Sequence, residues 1–157
     1  QNEIFLICLF SSTIIPIITV LLLRYKNIIS DLDASIKEQR ILPLSLGVCY
    51  SIVGFLFLFF FESNLYVQGL MFSYIINSII IIIIIKFWKI SIHAIGVTGP
   101  FSVLYIFGYD YIVLMIIITI AVCIARIILN AHNYNQVIIG SIFGFISTYL
   151  QITLFFV

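Results

Sequence analysis

The two histidines of this chain stand with arginines in polar segments that separate apolar stretches. His132 lies six residues after Arg126, and His93 lies in an earlier polar segment. Histidine titrates near neutral pH and can act as a nucleophile or as a general acid. Arginine offers a planar, permanently charged fork that matches phosphate oxygens. Because phosphoryl transfer depends mostly on positioning and charge neutralisation, this pattern predicts a phosphoryl-transfer site.

Gln136 is the residue expected to orient His132. It follows His132 by four residues, so the two side chains would share a face if the last helix begins at that point. A side-chain amide can hydrogen-bond one imidazole nitrogen and thereby fix the tautomer. We therefore predict a contact between Gln136 and His132.

Composition determines where such a site would lie. The chain has 157 residues, of which 64% are hydrophobic and 8% charged, and its mean hydropathy is +1.31. A soluble domain of this size needs far more polar surface, so the composition indicates an integral membrane protein. The net charge of +1 argues against nucleic acid as a partner, because a phosphate backbone requires a broad basic surface.

Apolar stretches long enough to be helical spans set the expected architecture. A crossing takes roughly 17–25 residues in a helix that satisfies its own backbone hydrogen bonds. The sequence predicts an all-α membrane protein, a compact bundle of six transmembrane helices that forms one domain over residues 1–157. The predicted spans are 4–23, 42–61, 67–85, 94–107, 111–129 and 137–156. The fourth is short and contains Gly96, Gly99 and Pro100, and Gly140 and Gly144 give the sixth a face for close helix packing.

Two smaller predictions concern the polar segment before the second span and the cysteines. Residues 33–40 are expected to form a short interfacial helix that stops ahead of Pro43. Cys8, Cys49 and Cys123 each lie inside an apolar stretch without metal-ligand spacing. They are expected to be buried, unpaired side chains, with no disulfide, metal site or cofactor.

The cations lie in alternate polar breaks of the chain. All seven basic residues and both histidines fall in the first, third and fifth breaks, whereas the other breaks and the N-terminal segment carry only acidic charge. Two crossings separate each odd break from the next, so the odd breaks should lie at one membrane surface. Arg40 and residues 91–93 and 126–132 are therefore predicted to converge on one pocket.

The segment around His132 resembles the third signature of the type 2 phosphatidic acid phosphatases. That signature reads Ser-Arg-(five residues)-His-(three residues)-Asp and usually continues into a glycine-containing helix. Arg126, His132 and Gln136 stand at the arginine, histidine and aspartate positions, and Gly140 and Gly144 follow.

Two further segments are similar to the other signatures of that family. Lys89-Ile-Ser91-Ile-His93 is similar to the second signature, Pro-Ser-Gly-His. Arg40-Ile-Leu-Pro43 is similar to the end of the first, Lys-(six residues)-Arg-Pro. The three segments occur in the family's order, and they are predicted to lie together at one membrane surface, as in that family.

The resemblance implies hydrolysis or transfer of the phosphoryl group of a phosphorylated or diphosphate lipid through a phosphohistidine. By resemblance His132 is the nucleophile, His93 protonates the leaving group, and Gln136 takes the orienting position. The phosphate-binding residues are expected at Arg126, Arg40, Ser91, Lys37 and Lys89. No cofactor is implied, and the partner is a membrane lipid.

The chain departs from the signatures in ways that favour an alternative function. The orienting aspartate is replaced by Gln136, the serine of the third signature by Ala125 and the glycine of the second by Ile92. Asp33 stands where the first signature has lysine, although Lys37 lies one helical turn away. The alternative is a catalytically inactive relative that binds anionic lipid or serves as a membrane subunit of a larger complex. Haem ligation by the two histidines is a third reading, and it ranks below both.

Charge also predicts orientation. Membrane proteins keep lysine and arginine in their cytoplasmic loops, and Arg24, Lys26, Lys37 and Lys86 lie in the odd breaks. The histidine face is therefore expected in the cytoplasm. The resemblance suggests a bacterial inner membrane as the location. It also implies the outer face of that membrane, where most bacterial relatives work, in conflict with the orientation that the charges predict.

Overall fold

The computed structural model describes residues 2–34 and 36–157, and every regular element in them is helical. The prediction of an all-α protein is confirmed. The elements are α1 (Asn2–Leu9), a π-helical turn (Phe10–Ile14), α2 (Ile15–Tyr25), a 3₁₀ turn (Lys37–Arg40), α3 (Ile41–Phe60), α4 (Leu65–Phe87), α5 (Ile92–Ile106), α6 (Ile112–Ile128) and α7 (Tyr134–Phe155).

Four apolar helical segments have the length needed to cross a membrane. They are Asn2–Tyr25, Lys37–Phe60, Leu65–Phe87 and Tyr134–Phe155. The two remaining apolar helices, α5 with 15 residues and α6 with 17, reach only about 22 and 25 Å at 1.5 Å per residue. All six segments coincide with the six predicted spans to within a few residues, and the four long ones indicate integration into a membrane.

The chain divides into two compact units, one that ends at Phe87 and one that runs from Trp88 to Val157. The single domain expected over residues 1–157 stays a prediction.

In the first unit, a π-helical turn interrupts the first span just ahead of Pro16. Ile15 N–H bonds to the carbonyl of Phe10, five residues back, and Pro16 itself has no N–H to continue the α-helical pattern. Ser11 Oγ donates to the carbonyl of Ile7 at 2.6 Å. A Cβ added at Gly54 of α3 would lie 2.6 Å from Ser11 Oγ, so the absence of a side chain at Gly54 permits this close approach.

The expected interfacial helix ahead of Pro43 is partly wrong. A 3₁₀ turn does form at Lys37–Arg40, but it continues directly into α3, and helical residues extend from Lys37 to Phe60. Pro43 lies in the first turn of α3. Its missing N–H costs little there, because the first backbone N–H groups of a helix have no partners inside the helix.

The cysteine prediction is also wrong in part. The three cysteines are free, but Cys49 is exposed, and Cys8 and Cys123 are half-buried. An apolar span that packs on few neighbours leaves much of its side-chain surface for lipid, so an apolar context alone does not imply burial within the protein.

In the second unit, α5 and α7 pack closely along the predicted glycine face. A Cβ at Gly140 would lie 2.9 Å from the carbonyl oxygen of Ser91, and one at Gly144 would lie 2.8 Å from the backbone of Ile95 and against Thr98 Oγ1. Small residues let helix backbones approach in this way. The predicted packing role of Gly140 and Gly144 is confirmed, and it brings the start of α5 against the start of α7.

Candidate functional site

The predicted contact between His132 and Gln136 is present. His132 Nδ1 lies 2.9 Å from Gln136 Oε1, and the histidine is buried, with 7% of its surface exposed. The contact does not come from a shared helical face, because α7 begins at Tyr134 with Asn133 as its N-cap. His132 lies just outside the helix, and the capping turn brings the two side chains together.

The capping turn also fixes the direction of the Gln136 amide. Gln136 Oε1 accepts the N–H of Asn133 at 3.3 Å, and Asn133 Oδ1 accepts the N–H of Gln136 at 3.0 Å. This reciprocal pair is a capping box, which satisfies two backbone donors at a helix start. With its oxygen turned towards Asn133 N–H, the amide presents an acceptor to His132.

An acceptor at Nδ1 determines the tautomer of His132. The amide oxygen can only accept, so His132 Nδ1 must carry the proton in this contact. In a neutral imidazole, Nε2 is then the unprotonated nitrogen. An unprotonated ring nitrogen is the one that can act as a nucleophile or a base.

The end of α6 positions His132 and Arg126 together. Asn130 adopts a left-handed conformation with φ of 52°, and the carbonyl of Arg126 accepts N–H groups from Ala131 at 3.1 Å and His132 at 3.2 Å. With the bond from Asn130 N–H to the Ile127 carbonyl, this is a Schellman ending, for which asparagine is a usual residue. Arg126 is half-buried in the last turn of α6.

The segment from Lys89 to His93 meets this turn through Ser91. The N–H of Ser91 donates to the carbonyl of Gln136 at 3.3 Å, and Ser91 Oγ accepts the N–H of Ala94 at 3.4 Å as the N-cap of α5. Ser91 is fully buried. His93 lies in the first turn of α5 and is exposed, whereas Lys89 is half-buried. The third and fifth breaks therefore converge, as span parity predicted.

Arg40 and Lys37 belong to the first unit and have partners of their own there. Arg40 is 4% exposed. Its Nε donates to the carbonyl of Ala34 at 2.8 Å, and its guanidinium interacts electrostatically with Asp33 and Asp31. These contacts close the polar segment that precedes α3.

Lys37 also contacts other residues of the first unit. Its Nζ donates to the carbonyl of Lys86 at 3.2 Å and lies 3.9 Å from Glu38 Oε1. Among the predicted site residues, the structure thus joins His132, Gln136, Ser91 and the backbone of Arg126, with His93 two residues beyond Ser91. The phosphate-binding roles of Arg40 and Lys37 stay predictions.

Asn133 is a site residue that the sequence reasoning missed. It holds the Gln136 amide in the direction that serves His132, through the reciprocal bonds of the capping box. The signal was present in the sequence, because asparagine followed three residues later by glutamine ahead of an apolar run is a helix-start pattern.

Comparison with known proteins gives no match: no protein-family model, no curated protein and no solved structure matches this chain. The contacts described above therefore provide the physical basis for inferring a function.

Proposed function

We propose that this membrane protein removes or transfers the phosphoryl group of a lipid, with His132 as the nucleophile, as type 2 phosphatidic acid phosphatases do. The observation that carries the proposal is the hydrogen bond from His132 Nδ1 to Gln136 Oε1. It places the proton on Nδ1, so Nε2 is the unprotonated nitrogen that would attack phosphorus.

The proposed reaction has two steps. His132 Nε2 attacks phosphorus, the Nε2–P bond forms, and the P–O bond to the lipid breaks as the leaving oxygen takes a proton from protonated His93. A water molecule then gives a proton to His93 and attacks phosphorus, which breaks the Nε2–P bond and releases inorganic phosphate. Exposure of His93 suits both steps, because a general acid must reach the substrate and then water.

Charge and backbone dipoles near His132 support binding of a phosphate. Arg126 precedes His132 across the tight turn that ends α6, and an arginine fork matches phosphate oxygens. The N-terminus of α5 begins at Ser91, which is bonded to Gln136. Helix N-termini favour anions through their unpaired N–H groups and dipole.

Gln136 limits the expected rate. When Nε2 is phosphorylated, the imidazole becomes positively charged, and an amide oxygen stabilises that charge less than a carboxylate does. Replacing the carboxylate by an amide lowers the rate by about 10⁴ in serine proteases, where the histidine takes the wrong tautomer. Here Gln136 keeps Nδ1 protonated, so the loss is confined to the missing charge. We therefore propose a slow enzyme, which requires a sensitive assay.

The test uses purified full-length protein in detergent micelles with ³²P-labelled lipid phosphates: a diacylglycerol phosphate, alkyl phosphates and prenyl diphosphates. We expect phosphate release and a protein-bound label that is labile in acid and stable in alkali. His132→Asn, which keeps a donor towards Gln136, should abolish the bound label and lower the rate by about a thousandfold or more.

Two further variants complete that test. His93→Ala should slow turnover by about a hundredfold or more, the usual contribution of a general acid. Asn135→Ala, an exposed neighbour, is the matched control and should leave the rate unchanged. Absence of release over the whole panel contradicts the proposal.

A second function is favoured by the neutral character of Gln136 alone. A protein that binds a lipid phosphate at Arg126 without turnover would retain binding of alkyl phosphates and show no phosphohistidine. Binding without phosphohistidine would indicate the alternative function, a catalytically inactive relative of the phosphatases. Such a relative would be either a lipid-binding protein or a subunit of a membrane complex.

A further inference from the structure

An apolar cavity of about 300 Å³ lies among α5, α6 and α7 of the second unit. Its wall includes Thr98 and Tyr105 of α5, Ile112 and Thr119 of α6, and Phe145 of α7. The hydroxyls of Thr98 and Thr119 donate to the carbonyls of the preceding helical turn. The two threonine hydroxyls are therefore satisfied within their helices, and the wall is almost entirely carbon surface, which suits a hydrocarbon chain.

The two ends of the cavity lie at about the same depth when measured along α5 from Ser91 and along α6 from Arg126. On α5, Thr98 and Tyr105 lie seven and fourteen residues beyond Ser91, or about 10 and 21 Å at 1.5 Å per residue. On α6, residues 120 and 112 lie six and fourteen residues before Arg126, or about 9 and 21 Å. The cavity thus runs from about 10 to 21 Å below the level of Ser91 and Arg126.

α6 leaves this cavity accessible to lipid. It contributes no buried residue, whereas α5 and α7 meet at glycines whose added Cβ atoms would touch the opposite backbone. A helix that packs loosely beside a tight pair leaves a groove along the pair. Because lipid tails are as apolar as the helix side chains, a chain can enter that groove from the membrane.

Aromatic rings are concentrated at the deeper end of the cavity. Tyr105 packs against Phe145 with ring centroids 6.1 Å apart and against Tyr149 at 6.4 Å, and Phe145 stacks on Tyr149 at 6.3 Å. Rings that are packed on each other on two helices resist displacement. They provide a physical limit to how far a chain can extend.

We propose that this cavity holds the hydrocarbon chain of the lipid whose phosphate lies at His132, and that Tyr105, supported by Phe145 and Tyr149, sets the longest chain accepted. The proposal rests on the proposed phosphate site. An extended chain advances about 1.2 Å per bond, since the three bonds of an extended residue span about 3.6 Å. The cavity then takes roughly the eighth to the seventeenth carbon, counted from the phosphate. The substrate class is a lipid phosphate with one chain of about sixteen carbons, whose distal half lies in the cavity.

Photolabelling tests this assignment without requiring turnover. The probe is hexadecyl phosphate with a diazirine at about the twelfth carbon, a depth of about 14 Å, applied to the full chain in detergent micelles. Hexadecanol with the same diazirine is the matched probe without phosphate. We expect the phosphate probe to label Met115, Thr119 and Phe145, and the alcohol to label lipid-facing residues such as Ile117.

Arg126→Gln should lower cavity labelling by the phosphate probe to that of the alcohol, because the phosphate no longer fixes the depth of the chain. Equal cavity labelling by both probes in the unmodified protein would mean that bulk lipid or detergent fills the cavity, and would overturn the proposal. Absence of phosphate release from every lipid would instead contradict the enzyme proposal. The two failures are therefore distinguishable.

A steric variant tests the length limit. Thr119 lies seven residues before Arg126, or about 10 Å, so Thr119→Phe should block the cavity near the ninth carbon and remove labelling of Phe145. The best competing alkyl phosphate should shorten from about sixteen carbons to about nine. Ile117→Phe, on the same helix but outside the cavity wall and 57% exposed, is the control and should change neither result. An unchanged preference in Thr119→Phe contradicts the proposal.

Discussion

The hydrogen bond between His132 and Gln136 performs one of two tasks that a carboxylate performs beside a nucleophilic histidine. It fixes the tautomer, since Oε1 accepts from Nδ1 at 2.9 Å. It supplies no negative charge to stabilise an imidazolium. Orientation and charge stabilisation are thus separated at this site, and only the first is present.

Restoring the charge should raise activity. Gln136→Glu keeps the length of the side chain and its place in the capping box, and adds the charge that favours the phosphorylated imidazole. We expect phosphate release to increase by about tenfold or more, measured with the ³²P lipids.

Gln136→Met is the matched variant that removes the acceptor without changing the length much. It should lose activity and lower the free energy of unfolding by about 1–2 kcal/mol, because it loses the cap and the histidine contact. A Gln136→Met protein as active as the unmodified one would contradict the orienting role.

Among the helices, the contact between α5 and α7 determines the geometry of the site. Gly140 and Gly144 allow the two backbones to approach, and the approach permits the bond from Ser91 N–H to the Gln136 carbonyl. The glycines have no side chain that could act in the site, yet they set the distance between the segments that contain His93 and His132.

Gly144→Ala should therefore separate α5 from α7. Its Cβ would meet the backbone of Ile95 at 2.8 Å, and forced overpacking costs about 1–3 kcal/mol. Gly96→Ala on α5 is the control, because a Cβ there has nothing within 4 Å and alanine favours a helix. Thermal unfolding in detergent should show a lower midpoint for Gly144→Ala and an unchanged or higher one for Gly96→Ala. Equal midpoints would contradict the tight packing.

For the whole molecule, composition and charge patterning account for most of the predicted fold. The six spans were predictable because lipid requires apolar residues and helical backbone. The continuous helix through Pro43 was not, since proline is compatible with both a break and a helix start. The contact of Arg40 with Ala34 depends on a left-handed residue with φ of 44°. No pattern in the sequence indicates that conformation.

Contacts among the candidate site residues were predictable where their spacing in the sequence is local. The four-residue separation predicted the His132–Gln136 contact, although a capping turn rather than a helical face produces it. The meeting of Ser91 with Gln136 followed from span parity. The exposure of His93 and the apolar cavity depend on how three helices pack, which one sequence does not specify.

The side of the membrane that the histidines face is a prediction about the whole chain. In a variant without native cysteines, Asn135→Cys and Asp110→Cys place exposed thiols in the fifth and fourth breaks of the second unit. If the histidine face is cytoplasmic, as the positive-inside rule predicts, a membrane-impermeant maleimide should label Asp110→Cys in intact bacterial cells and Asn135→Cys only after lysis. The reverse pattern would place the site outside.

The hydrogen bond between His132 and the amide of Gln136 is also independent of acidity. In this contact the neutral imidazole has its proton on Nδ1, and the protonated imidazole also has a proton there. The amide of Gln136 does not titrate. The hydrogen bond that holds His132 therefore persists on both sides of the histidine's titration, whereas a carboxylate partner would lose its charge in acid. Acid therefore does not remove the contact that orients His132.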